Sequence, residues 1–208
     1  MKGNILKNNV THQLSIVIGE DQLAAFYPLL HQGFRVDVVV GQSIQKMLCH
    51  QLNINADYLE ERIKTIFLDG KPVDDVHTAI IRDGATLSLS AAMPGLVGAT
   101  FRKGGPLASF RSSITHQKGD ETADQRQGHV TLKLFNLLVK ELGPTFLERG
   151  ILIRKDDWED VVNHQSEKFW TKCKRIRING QDTTPQELVS LTFPDQPRFV
   201  RIKVSTAD

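Results

Sequence analysis

Cysteine is scarce in this chain. Cys49 and Cys173 are the only two among 208 residues; they stand far apart and make neither a CxxC pair nor a disulfide framework, which fits a reducing compartment. Long apolar runs are missing too. No stretch approaches the roughly 20 apolar residues that a membrane span requires, and the first nine residues lack the apolar run of a signal peptide. Nor does one charge dominate: 26 basic against 24 acidic residues leave a formal charge of +2. Nucleic-acid binding normally shows as a basic stripe or patch, so this balance disfavours nucleic acid as a partner. A cytoplasmic protein that makes no use of a membrane is the expectation.

What is present is enough apolar residue, 40%, to build two modest cores rather than one large one. His12 to Ile18 reads as a strand, with Leu14, Ile16 and Ile18 on one face. Glu20 to His31 reads as a helix with Leu23, Phe26, Tyr27 and Leu30 aligned, and Gly33 as its stop. Phe34, Val36, Val38 and Val40 alternate as a half-buried strand. Ser43 is placed to cap a helix carrying Ile44, Met47, Leu48 and Leu52, and Asp57 to Ile63 is read as a second helical turn. Thr65 to Leu68 is a strand closed by Asp69-Gly70, a hairpin signal. Ile80-Ile81 and Ala85 to Ser90 are read as further strands around a second Asp-Gly turn, Asp83-Gly84.

From Met93 to Gly128 glycines punctuate the chain and periodicity fades; Lys118 to Gln127 is almost wholly polar and reads as a linker. Beyond it, Val130 to Leu134 is a strand, and Gly143-Pro144 should interrupt or kink any helix that follows. Ile151 to Ile153 is a strand, and Asp156 or Asp157 caps a helix containing Trp158, Val161 and Val162. Ile176 and Ile178 precede an Asn179-Gly180 turn, and Phe199 to Val204 closes the chain as a strand. The expected domains are therefore 1–95, a linker over 96–128, and 129–208.

The two halves share an order of elements. Each has a strand after a histidine (His12, His129), a helical stretch up to a glycine (Gly33, Gly150), a strand and a helix, a strand with a tight turn (Gly70, Gly180), and a final strand. Two readings stay open: the second domain is a degenerate duplicate of the first, or an independent α+β unit with common hairpin chemistry.

The run Phe67-Leu68-Asp69-Gly70-Lys71-Pro72-Val73-Asp74-Asp75, followed by Arg82-Asp83-Gly84-Ala85-Thr86-Leu87-Ser88-Leu89, resembles the ubiquitin-like sulphur carriers, the small subunit of molybdopterin synthase and the thiazole-pathway carrier. The resemblance covers about residues 34–95. It implies an α+β, ubiquitin-like β-grasp fold for the N-terminal domain and a tail after the last strand that enters a partner's cleft. Those carriers end in a Gly-Gly whose carboxylate is activated. Here the strand runs on into Ala91-Ala92-Met93-Pro94-Gly95, and Gly104-Gly105 is internal, so carrier chemistry would require cleavage at Gly105.

Other constellations have plain explanations. The Gly95–Gly105 segment with Arg102 and Lys103 lacks the G-x-x-x-x-G-K-[ST] order of a phosphate loop, and a partner-docking loop is preferred. Residues 95–116 carry Arg102, Lys103 and Arg111 and no acid. Cys49 and His50 are adjacent on a helix and diverge; Cys49 is read as a core residue. Lys172, Lys174, Arg175, Arg177, Arg201 and Lys203, with Trp170 and Phe169 as stacking platforms, could form a nucleic-acid face, although neighbouring acids offset the charge. The reading adopted is a non-enzymatic interaction module with an unidentified protein partner and no catalytic residue, metal or cofactor assigned. Its docking residues are Met93, Pro94, Gly95, Gly98, Arg102, Lys103, Gly104 and Gly105, and Gly95 and Gly98 are expected to tolerate bulky replacement without loss of folding. The alternatives are a carrier-like accessory protein of cofactor biosynthesis and a nucleic-acid binder.

Overall fold

The computed structural model describes residues 10–111, 113–116, 124–193 and 198–207. In chain order these form β1 (Val10–Ile18), a 3-10 helix (Glu20–Phe26), α1 (Tyr27–Gln32), β2 (Phe34–Val40), α2 (Ile44–Lys46) running into a π-turn (Met47–Gln51), and α3 (Ala56–Glu61). Then come β3 (Thr65–Leu68), β4 (Lys71–Pro72), β5 (Thr86–Ser90), α4 (Gly95–Phe101), a 3-10 turn (Ala108–Arg111) and β6 (Arg126–Phe135). The last part holds α5 (Leu137–Arg149), β7 (Ile151–Arg154), α6 (Lys155–His164), α7 (Glu167–Thr171), β8 (Arg175–Ile178), β9 (Gln181–Asp182), α8 (Pro185–Val189) and β10 (Phe199–Thr206). The fold is mixed α+β.

The chain divides into two compact units, one of residues 35–139 and one of 1–34 with 140–208. This is a different partition from consecutive domains over 1–95 and 129–208. Strand pairing is the reason. β1 lies parallel to β10 and antiparallel to β8, so the first strand belongs with the last third of the chain. β6 lies parallel to β5, so a strand beyond the expected linker completes the sheet of residues 35–139.

In the unit of residues 35–139 the strand order is β4-β3-β5-β6-β2. Ile66 faces Leu89, Leu68 faces Leu87, and Leu87 and Leu89 pair in turn with Leu132 and Leu134. All six are buried. Alternate residues of a strand share a face, so this row forms one buried apolar face; Ile44, Met47, Leu48 and Leu59 of the helical stretches are also buried. Ser43 caps α2, its hydroxyl accepting from the Lys46 N–H. Ile80 makes only an isolated bridge to Ser43, so Ile80-Ile81 is not the strand its β-branched side chains suggest; the Ile81 and Gly41 amides instead bind single carbonyls across the loop.

In the other unit the order is β7-β10-β1-β8-β9. Leu14 pairs with Ile202 and Ile16 with Val204, and burial of such a side chain stabilises by ~1.5–3 kcal/mol each. The core here is aromatic: Phe34 and Phe146 meet in a tilted pair at 5.1 Å, as do Trp158 and Trp170 at 5.9 Å, and Phe26 meets Trp170 edge to face at 6.5 Å. The stretch from Glu20 is a 3-10 helix before it becomes α1, which buries Gln22, Phe26, Leu29 and Leu30 rather than the face through Leu23 and Tyr27. Pro144 lies inside α5 without ending it. Its missing amide costs one hydrogen bond, but Gly143 beside it lets Leu30 approach so closely that a Cβ there would stand 2.6 Å from the Leu30 Cδ1. α6 starts at Lys155 with Arg154 as its cap, so Asp156 and Asp157 sit in the first turn, where carboxylates favour the helix dipole.

The two hairpins that follow the central helices are equivalent in backbone detail. Asp69 and Gly70 have φ of 48° and 77°, Asn179 and Gly180 of 54° and 86°, a left-handed pair of the kind two-residue hairpin turns demand. The Asp69 N–H donates to Thr86 O (2.9 Å) and the Thr86 N–H to Asp69 Oδ1 (2.7 Å). Likewise the Asn179 N–H donates to Gln13 O (2.8 Å) and the Gln13 N–H to Asn179 Oδ1 (2.9 Å). β1 thus takes beside β8 the place that β5 takes beside β3.

Candidate functional site

Residues 91–116 leave the end of β5, and they form a lobe rather than the glycine-rich linker the sequence suggests. Gly95 opens α4 with φ +79°. Phe101, at the end of α4, packs on Phe67 at 5.4 Å. Phe67 lies on the face of β3 opposite Ile66 and Leu68, so the lobe is laid over the outer face of the sheet. Backbone bonds fasten it further, from the Lys103 N–H to Lys64 O (2.7 Å) and from the His116 N–H to Pro72 O (2.8 Å).

One buried cation organises this lobe. Arg111 is 3% exposed, and all five guanidinium donors are used. Nη2 meets Asp74 Oδ1 at 2.6 Å and Nη1 meets Oδ2 at 3.1 Å, a bidentate pair. Nε donates to Thr100 O (2.7 Å), Nη2 also to Arg102 O (3.2 Å) and Nη1 also to Thr115 Oγ1 (2.7 Å). Asp74 Oδ1 accepts the Gly104 N–H as well, at 3.0 Å. A buried charge is tolerated only when paired and fully hydrogen-bonded, and this one is. The neighbouring Lys103 reaches across to Glu60 Oε2 (2.9 Å) and Leu59 O (3.3 Å) on α3.

The docking residues expected from the sequence therefore divide. Pro94, Gly95, Arg102 and Gly104 are exposed, and Met93, Lys103 and Gly105 are half-buried. Gly98 is buried: a Cβ there would stand 2.1 Å from the Met93 carbonyl oxygen. Gly98 is needed for α4 to form at all in this place, which corrects the expectation that a bulky replacement leaves folding intact. Of the three cations, Arg111 and Lys103 are spent inside the protein and Arg102 is the exposed one.

Side chains that glycine counting passed over stand out instead. Leu96 is 75% exposed, Val97 67%, Phe110 81% and Ile114 51%, four large apolar residues on one short lobe. α4 packs on the 3-10 turn that carries Phe110, so the four belong to one folded element. The only sequence cue was their occurrence in a stretch without acidic residues. Arg111 and Asp74 gave no cue, since they lie 37 residues apart.

The remaining candidates are placed as follows. Trp170 is buried in the aromatic core and cannot stack on a base, whereas Phe169 is half-buried. Arg175 and Arg177 both donate to Asp182 Oδ1, at 2.8 and 2.9 Å, and hold its carboxyl far below the usual range. Lys174 donates to Ala207 O at 2.6 Å. Cys49 is half-buried rather than a core residue; burial, and then Glu60, push its thiol pKa up. Burial likewise raises Cys173, against a bond from Gln22. A cleft of about 460 Å³ lies between Asp21, Gln22 and Ala25 on one side and Lys168, Phe169 and Lys172 on the other. Its ionisable groups are solvent-facing and of mixed sign. At the start of β6, Asp83 accepts the His129 N–H at 3.0 Å and pairs with Arg126 at 3.2 Å. The N–H bond from His129 is the main reason its carboxyl sits below the usual range. Among the described residues no group of three or more His, Cys, Asp and Glu could hold a metal ion, and no helix is long and apolar enough to cross a membrane. Set against protein-family models, curated proteins and solved structures, the chain matches none.

Proposed function

We propose that this protein is a non-enzymatic interaction module built on two β-grasp-like sheets, and that the lobe of residues 91–116 is its docking element. Strand order supports the scaffold half of the reading. In β4-β3-β5-β6-β2 the two central strands are parallel neighbours, β3 flanks one of them, and a short strand lies at the edge, as in ubiquitin-like folds. The matched hairpins at Asp69-Gly70 and Asn179-Gly180 support an origin by duplication, in which each repeat lends its first strand to the other repeat's sheet.

The observation that carries the functional half is the exposure of Leu96, Val97, Phe110 and Ile114 on an element fastened by a buried ion pair. Apolar side chains gathered on a surface mark interaction sites, and a rigid mount lowers the entropy lost on binding. In the sulphur carriers that the sequence resembles, the tail leaves the same strand and enters a partner. Here it is folded back and held, and Gly104-Gly105 sits within the Asp74–Arg111 clasp, so no observation favours the cleavage reading.

A photo-crosslinking residue placed at Val97 or Phe110 in the full chain, in an extract of its native cells, should give a discrete crosslinked species. The same residue at Val189, an exposed apolar position on α8, should not. Equal labelling at all three positions, or none at any, would end this reading.

A further inference from the structure

The Asn179-Gly180 turn carries chemistry that the docking reading leaves unused. We infer that Asn179 is a site of spontaneous covalent modification, converted by water to aspartate and isoaspartate through a cyclic imide, and that the isoaspartate form alone loosens β1 beside β8. Asn53, Asn136 and Asn179 are the asparagines with left-handed φ among the described residues, and their surroundings separate them. Asn53 is followed by Ile54, whose N–H is tied to Leu48 O at 3.0 Å. Asn136 is followed by the bulky Leu137, and its side-chain amide donates to Ser90 Oγ at 2.8 Å. Asn179 is followed by Gly180, and both are exposed. Among the described residues nothing accepts a hydrogen bond from the Gly180 N–H, and a Cβ there would meet nothing within 4 Å. That nitrogen is neither held nor crowded. Asn179 Oδ1 accepts the Gln13 N–H at 2.9 Å, which draws electron density from Cγ and favours attack on it.

The Gly180 nitrogen gives its proton to solvent base and bonds to Asn179 Cγ. The Cγ–Nδ2 bond breaks, and the side-chain nitrogen takes up a proton and leaves as ammonia. Water then opens the imide. Cleavage between Cγ and the nitrogen leaves aspartate; cleavage between the main-chain carbonyl carbon and the nitrogen leaves isoaspartate, with the chain routed through Cγ. Water enters, ammonia departs, and nothing is oxidised or reduced. The two products fit the turn differently. Asp69 already occupies the equivalent turn, with φ of 48° and Oδ1 accepting the Thr86 N–H at 2.7 Å, so aspartate at position 179 suits the backbone as it stands. Isoaspartate adds a methylene to the main chain and moves the carboxylate onto Cα. The tight turn between the paired Ile178 and Gln181 then no longer closes in register, and the bonds that join Asn179 to Gln13, at 2.8 and 2.9 Å, are lost together.

The test is to incubate the purified full chain in mildly alkaline buffer at body temperature and map its peptides by mass spectrometry, with chromatography that separates the two acids. The Asn179 peptide should gain the mass of an amide-to-acid exchange at least tenfold faster than the peptides of Asn53 and Asn136. Gly180→Ala should slow that gain at least tenfold. Hydrogen exchange should show the Gln13 amide unprotected in the isoaspartate fraction, and protected both in the aspartate fraction and in Asn179→Asp. An Asn179 that converts no faster than Asn53 and Asn136 overturns the site. So does an Asn179 that is inert in the folded chain yet converts in denaturant, because the turn then protects it. Equal protection of Gln13 in both product fractions overturns the loosening of β1.

Discussion

The two hairpin edges of this protein share a backbone and differ in what they do with charge. In the unit of residues 35–139, the chain beyond β4 supplies Asp74 to a guanidinium removed from water, and twenty-odd residues of lobe are organised around it. In the other unit, Arg175 and Arg177 share Asp182 across β8 and β9 in full view of solvent. The lesson is energetic. An exposed ion pair is worth about 0–1 kcal/mol and can be lost without consequence for the chain around it. A buried one with every donor satisfied takes a partner from each of five acceptors if its cation is removed. One edge is decorated by its arginines; the other is built by its arginine.

The largest expected effect breaks that contrast directly. Arg111→Ala should cost about 3 kcal/mol, the low end for breaking a buried pair because Asp74 keeps some solvent access. Hydrogen exchange should show the Lys103, Gly104 and His116 amides losing protection while β1, β8 and β10 keep theirs. Retained protection in the lobe would mean that Phe101 on Phe67 suffices to hold it.

A smaller effect sharpens the likeness. A Cβ at Gly70 or at Gly180 would meet nothing within 4 Å, so replacement by alanine costs only the left-handed backbone, about 1–2 kcal/mol. Gly70→Ala and Gly180→Ala should therefore destabilise equally, within about 0.5 kcal/mol, as read from urea midpoints. Costs that differ by more than the whole effect of one would show that the turns are alike in geometry but unlike in load.

The smallest effect is acid sensitivity. Burial, and then the field of Arg35, hold the His129 pKa below its usual value against the pull of Asp83 and Asp37. The unfolded chain therefore binds this proton first as pH falls. Stability from this group is fully present above the ordinary histidine pKa of ~6.5 and declines through the window below it. The paired carboxylate of Asp182, whose folded pKa is depressed, acts lower still: its contribution is present above the ordinary aspartate range near 4 and fades as pH falls further. Melting followed from neutral to mildly acidic pH should show a steeper loss in the parent protein than in His129→Gln. Parallel curves would remove His129 from the account.

Local chemistry was legible in the sequence wherever it depends on near neighbours. Thr65 to Leu68, the Asp69-Gly70 and Asn179-Gly180 turns, the Ser43 cap and the alternation of Leu14, Ile16 and Ile18 all follow from spacing and conformational preference, and the structure places each of them as expected. The glycine-rich stretch misled, because a glycine that relaxes a loop and one that admits a backbone carbonyl, as Gly98 admits that of Met93, look the same in one dimension. Pro144, read as interrupting or kinking a helix, lies inside α5 without ending it.

By itself, then, the sequence determined the kind of most of the long strands and most of the turns, since those energies are settled within a few residues of chain; it did not determine α4 or the loop at Ile80-Ile81. Only the tertiary structure decided that β1 joins β8 and β10, that β6 joins β5, and that Arg111 finds Asp74. Strands β1 and β5 are each the parallel neighbour of another central strand, so either could flank a given hairpin without reversing direction, and nothing local distinguishes them. The lobe's exposed apolar face is likewise a product of that choice. Leu96 and Phe110 are ordinary core-forming residues, left exposed on a lobe that is organised around a buried guanidinium.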